Sequence, residues 1–198
     1  MKNSTDSSRC ERRAFVSQLI AATPDALVIS GLGSPSYDVF AAGDRDHNFY
    51  LWGAMGGAAA MGLGLALAQP DRSVLVITGD GEQLMGVGTL GTIGAKRPKN
   101  LTIVVLDNGH FGETGMQRSH TSLGTDLVAV AQGFGIDDSF SVVDVSQARE
   151  VAERVIARRG ATFVQAFILP DEPPRALPPR DGVHVKNRFR AALGLPTF

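Results

Sequence analysis

Residues 73–82 read SVLVITGDGE and residues 101–110 read LTIVVLDNGH. Each begins as a run of valine, isoleucine and leucine and ends in glycine beside an acid or amide. Apolar residues in succession, rather than in alternation, suit strands covered on both faces in a parallel sheet. Working outward, further strands are expected at Ala26–Ser30, Phe140–Asp144 and Thr162–Leu169. Helical patterns fall at Arg12–Ala22, Pro35–Ala42, Gly56–Gln69, Glu82–Lys96, Asp126–Phe134, Ser146–Arg158 and Val185–Leu193. Strands alternating with helices predict an α/β fold: an open, mostly parallel sheet with helices on both faces.

The chain has 198 residues, which predicts one domain over residues 1–170. Pro170–Arg180 holds five prolines and is expected to run extended, so 171–198 reads as a proline-rich linker and a C-terminal helical arm. Hydrophobic residues make up 43% and charged residues 20%, as in a globular protein. The net charge of −1 gives no electrostatic reason to expect nucleic acid or an anionic membrane as partner. Met1–Arg13 is polar and lacks the apolar core of a signal peptide. Gly53–Ala68 is the most hydrophobic stretch, but it is short for a membrane span and rich in glycine and alanine. With one cysteine, Cys10, no intrachain disulfide forms. A cytoplasmic location is expected.

Ligands in open parallel sheets bind beyond the carboxyl ends of the strands. Three polar, glycine-containing turns follow such ends: Gly31–Ser34, Gly79–Glu82 and Asn108–His110. By itself the second is equally an ordinary strand-to-helix turn with an aspartate near the N-cap. Asp80 and Asn108, however, lie one strand–helix–strand unit apart, so adjacent strands bring them together. A carboxylate, an amide oxygen and a nearby carbonyl are hard oxygen ligands of the kind magnesium prefers, with room left for phosphate oxygens and water. Gly31-Leu32-Gly33 is only a fragment of a dinucleotide fingerprint, and no Gly-Lys-Ser/Thr of a P-loop occurs.

Gly79-Asp80-Gly81 closed by Asn108 resembles the motif of thiamine diphosphate-dependent decarboxylases. The resemblance runs from about Val28 to Phe134. Within that family, Gly112–Gly115 and Gly31–Ser36 look most like the smaller subunit of sulfopyruvate decarboxylase, with phosphonopyruvate decarboxylase a close relative. It implies two cofactors, thiamine diphosphate and Mg2+. Asp80 and Asn108 would bind the metal through side chains and His110 through its carbonyl. Gly79, Gly81, Glu82, Gly33 and Ser34 would line the diphosphate, with Phe111 and Gly112 closing over it. Gly53 would accept a hydrogen bond from the aminopyrimidine, and Met55 would wedge between the two rings. Glu82 departs from the family, where a small residue is common. Its carboxylate must turn away from a diphosphate. Asp107 likewise stands where asparagine is frequent.

The implied activity is non-oxidative decarboxylation of a small anionic 2-oxoacid to an aldehyde and carbon dioxide. The alternatives are an acetolactate synthase-like carboligase subunit and a non-catalytic cofactor-binding or regulatory subunit. The family's activating glutamate comes from a separate pyrimidine-binding domain, and the length leaves no room for one. A partner subunit of the alpha type, forming a hetero-oligomer, is therefore expected. The polar residues Glu113, Gln117, Arg118 and His120 form either a solvated loop or an active-site lid. In the lid reading, Glu113 and His120 are candidates to handle a proton. Arg118 or His120 is a candidate to receive the substrate's anion. His47 reads as a surface histidine, and His184 has no supporting context.

Overall fold

The first helix, α1 (Arg12–Ala22), starts where the Glu11 carboxylate accepts hydrogen bonds from the Arg13 and Ala14 amides. The computed structural model describes residues 9–198, so residues 1–8 of the polar Met1–Arg13 stretch lie outside the described residues. Next come β1 (Leu27–Ser30), α2 (Ser34–Ala41), β2 (Asn48–Tyr50), α3 (Ala58–Ala68) and β3 (Val74–Gly79). The helices α4 (Asp80–Met85) and α5 (Gly88–Lys96) precede β4 (Leu101–Asp107). A short antiparallel hairpin, β5 (His110–Phe111) with β6 (Gln117–Arg118), leads to α6 (Leu127–Gly133). Then follow β7 (Asp138–Val142), α7 (Ala148–Ala157), β8 (Thr162–Phe167) and α8 (Gly182–Ala192).

Six strands make one wholly parallel sheet in the order β2-β1-β3-β4-β8-β7. Successive strand residues point to opposite faces, and both faces are apolar. Leu75, Ile77, Val104 and Val164 pack with Phe15, Leu19, Val39 and Val151 of α1, α2 and α7. Val74, Val76, Ile103 and Phe163 pack with Leu63, Ile93, Ala131 and Phe189 of α3, α5, α6 and α8. This is the α/β open sheet with helices on both faces. Continuous valine and isoleucine runs form the central strands because neither face meets water.

From β1 the chain moves outward to β2, then returns to lay β3 on the other side of β1. The two tips after β1 and β3 therefore diverge and leave a crevice at the carboxyl rim. That crevice positions the site described below.

Several boundaries differ from expectation. The expected helix Glu82–Lys96 is two helices, because the chain between them passes close to the start of α3. A Cβ at Gly86 would lie 2.2 Å from the Gly56 carbonyl oxygen. The strand expected over Phe140–Asp144 ends at Val142, because the Val143 and Asp144 amides donate to Gln147 Oε1 at 2.8 and 3.1 Å. The last helix starts at Gly182 because Asp181 caps the Val183 and His184 amides. Pro170–Arg180 contains neither helix nor strand, and α8 docks on the β2 edge with Phe189 edge-on to Phe49 at 5.7 Å. Among the described residues, no helix is long and apolar enough to cross a membrane.

Candidate functional site

The turn after β1 is pinned from within: Ser36 Oγ donates to the Gly31 carbonyl at 2.7 Å and meets Ser30 Oγ at 2.7 Å. Gly33 adopts φ +75°, a conformation open to glycine, and the turn delivers Ser34 to the start of α2. The β3 tip is tied to it across the crevice. Glu82 Oε2 accepts hydrogen bonds from the Leu32 amide at 3.0 Å and from Thr78 Oγ1 at 2.9 Å. The Glu82 side chain is thus directed at the first turn and held there. Burial raises its carboxyl pKa, and these donors partly offset the rise.

Asp80 opens α4 and is buried. Its Oδ2 takes hydrogen bonds from the Ser119 hydroxyl and, at 3.3 Å, from Thr121 Oγ1. Thr121 Oγ1 also lies 2.8 Å from Asp107 Oδ1, and Asp107 Oδ2 accepts from Gln165 Nε2 at 2.6 Å. Burial, together with the nearby Asp107 charge, raises the Asp80 carboxyl to about 6. The β4 tip folds as an Asx turn: the His110 amide donates to Asn108 Oδ1 at 2.9 Å, and His110 Nδ1 meets the Asn108 carbonyl at 2.8 Å.

These tips surround one cavity of about 150 Å³. Its wall holds Ser34, Gly79, Asp80, Gly81 and Glu82 from the first two tips and Asn108, His110, Phe111 and Gly112 from the third. Met55 and Glu113 also line it. Phe111 covers the β3 tip so closely that a Cβ at Gly81 would lie 2.4 Å from its Cε1. Gly33 borders the site beneath Glu113, where a Cβ would meet Glu113 Cγ at 2.9 Å. Gly53, at φ +70°, and His120, exposed in a 3-10 turn, lie outside the cavity wall. Arg118 folds back on Ser122 within its own loop. Glu113 pairs with Arg175 at 3.2 Å. Among the described residues, no three His, Cys, Asp or Glu side chains gather as a metal cluster.

Sequence reading missed Ser119 and Thr121, whose hydroxyls orient Asp80. It also missed Arg12, a buried cation in the cavity wall. Loop hydroxyls carry no periodic signal. A charge at the first position of a helix normally reads as solvated.

Residues 36–166 match the family model described as thiamine pyrophosphate enzyme, C-terminal TPP binding domain. The chain is 46% identical over 111 residues to sulfopyruvate decarboxylase subunit beta of Methanocaldococcus jannaschii, covering 56% of this chain and 58% of that one. It is 34% identical over 185 residues to the subunit of the same name from Methanococcus maripaludis, covering 92% and 97% of the two chains. Against phosphonopyruvate decarboxylase of Streptomyces viridochromogenes, identity is 38% over 195 residues, covering 96% of this chain and 48% of that protein. The matched span is thus 58% of the first of these relatives and about half of the last. The solved structure of benzoylformate decarboxylase from Polynucleobacter necessarius superposes with a TM-score of 0.64 at 20% identity, over 82% of this chain and 34% of that one. That similarity shows the fold alone.

Proposed function

The chain belongs to the thiamine pyrophosphate enzyme family through its C-terminal TPP binding domain, and from that premise we propose that it is the diphosphate- and Mg2+-holding subunit of a decarboxylase for 2-oxoacids with an anionic tail. The observation that carries the reading is the meeting of the Asp80 and Asn108 tips, from adjacent parallel strands, on one cavity.

The residues present fit the group. Both hydroxyl donors to Asp80 fall on Oδ2, so Oδ1 is the oxygen offered to a cation. One carboxylate, the Asn108 amide oxygen and the His110 carbonyl make a hard-oxygen set that leaves coordination positions for phosphate oxygens. A single carboxylate also explains why no acidic cluster marks the place. The Glu82 carboxylate lines the same cavity, and its engagement by Leu32 and Thr78 directs it at the first turn. Phe111 shields the β3 tip from water. Thiamine diphosphate, when bound, supplies the electron sink for loss of carbon dioxide from a 2-oxoacid. The chain's own part is to grip the polar end of that group, with Met55 at the ring end of the cavity.

The anionic substrate class rests on the names of the relatives, which act on sulfopyruvate and phosphonopyruvate. The partner rests on two observations. The relatives of similar length are beta subunits, and the chain matches half of a longer decarboxylase. In addition, Leu67 on α3 and Met85 at the end of α4 remain 51% and 68% exposed, apolar side chains that a partner subunit would cover.

The test is calorimetry followed by turnover. The chain should bind thiamine diphosphate only with Mg2+, and Asp80→Ala should abolish that binding. Turnover of sulfopyruvate or phosphonopyruvate to an aldehyde should need an added alpha-type subunit. Metal-independent binding would sink the site assignment, an acyloin product would replace decarboxylation by carboligation, and full turnover by the chain alone would remove the partner.

A further inference from the structure

Arg12 stands at the first position of α1, the helix end where the backbone dipole disfavours a cation. It is also only 4% exposed. A buried guanidinium at that place needs a counter-charge. Asp38, fully buried on α2, lies 3.1 Å from Arg12 Nε, but the contact is off the hydrogen-bond axis. Asp38 is already served by Arg13, whose Nε donates to its other oxygen at 3.2 Å. Asp171 is 4.0 Å from Arg12 Nε and is partly exposed. Two arginines thus meet two carboxylates beside the cavity, and the Arg12 guanidinium hydrogen-bonds to neither.

Among the described residues, neither Arg12 Nη donates a hydrogen bond, and Arg12 forms part of the cavity wall. It is the one lysine or arginine in that wall, which also carries Asp80, Glu82 and Glu113. Its place along the cavity is defined. Arg12, Ser34, Asn108 and Gly112 are shared with a smaller neighbouring hollow under Asp171–Arg175, whereas Met55 is not. Arg12 therefore sits at the end away from Met55. It also lies outside the matched residues 36–166.

We propose that Arg12 binds the terminal phosphoryl group of a diphosphate held at this rim, through the two Nη groups that Asp38 leaves free. The inference rests on the cofactor reading above and adds a residue to it. The planar fork of a guanidinium matches two phosphate oxygens, and charge-assisted bonds of this kind are the strong ones. An arginine beside the metal adds a second cation facing the roughly three negative charges of a diphosphate tail.

The test titrates the full chain, with Mg2+ present, with thiamine diphosphate and with thiamine monophosphate by calorimetry. Arg12→Met should weaken the diphosphate roughly 10- to 100-fold, the worth of one charge-assisted bond or two, and leave the monophosphate within about threefold. Arg12→Lys should recover part of the loss. Asp38→Asn controls for the ion pair, and R12M/D38N removes both charges together so that the fold is kept. The double variant should remain as weak for the diphosphate as Arg12→Met. Equal loss for both ligands, no loss, or full rescue by Asp38→Asn would each overturn the role of Arg12. Binding of neither ligand by the unaltered chain would overturn the cofactor reading itself.

Discussion

Glu82 joins the two tips of the crevice with a single carboxylate. A methyl group at Gly31 would lie 1.8 Å from Glu82 Oε2, so Gly31→Ala must displace that carboxylate from Leu32 and Thr78. We expect a loss of about 1–3 kcal/mol, the cost of leaving buried polar groups unpaired, visible as a lower midpoint in urea. Asp38 gives a pH signature. Burial raises it to about 6 from 3.8, against the pull of Arg12 and Arg13. The folded chain then holds the proton more tightly than the unfolded one between about pH 4 and 6. The stability due to Asp38 is full below about pH 4 and is lost as pH rises through about 6. Asp38→Asn, neutral throughout, should gain on the unaltered chain across that window by on the order of 2–3 kcal/mol in urea titrations. A gap that stays constant with pH would mean that the arginines keep Asp38 ionised throughout. Asp80 and Asn108 were legible in the sequence because glycines flank them at the ends of apolar runs. Arg12 was not, since the pattern around it is that of any amphipathic helix and its burial depends on the distant Asp38 and Asp171.

Elements were legible where local signals and packing agree. Helix α1 begins and ends as its apolar spacing predicts, with Glu11 supplying the cap. Strand β2 was not read, because three residues are too few for a periodicity. It exists through pairing with β1 and through the Tyr50 hydroxyl, which donates to Asp44 Oδ1 at 2.8 Å. The break between α4 and α5 was likewise hidden, because its cause is the Gly56 backbone, distant in sequence. The same contact makes Gly86→Ala more costly than its helix propensity implies. It should lower the thermal midpoint and loosen the C-terminal end of α4, the helix that Asp80 opens. At α8, Asp181→Ala removes two capping bonds and should cost about 1 kcal/mol in thermal unfolding, a value typical of such caps.

At the scale of the whole molecule, the parallel sheet was legible because doubly covered strands leave an unbroken apolar signature. The loop that holds Glu113, Gln117, Arg118 and His120 carries a hairpin and two 3-10 turns that bring Ser119 and Thr121 onto Asp80. Such long-range closure leaves no mark in a linear pattern. The proline-rich segment has a different kind of anchor. The Trp52 indole N–H donates to the Pro179 carbonyl at 3.0 Å, and the Arg180 guanidinium lies 5.1 Å from its ring centre. Trp52 is the sole tryptophan of the chain, so selective excitation of its indole gives an optical reporter without any label. Detachment of the segment would wet the ring and redden its emission. Fluorescence followed during a titration would therefore tell whether the tail of the chain shifts when the rim is filled.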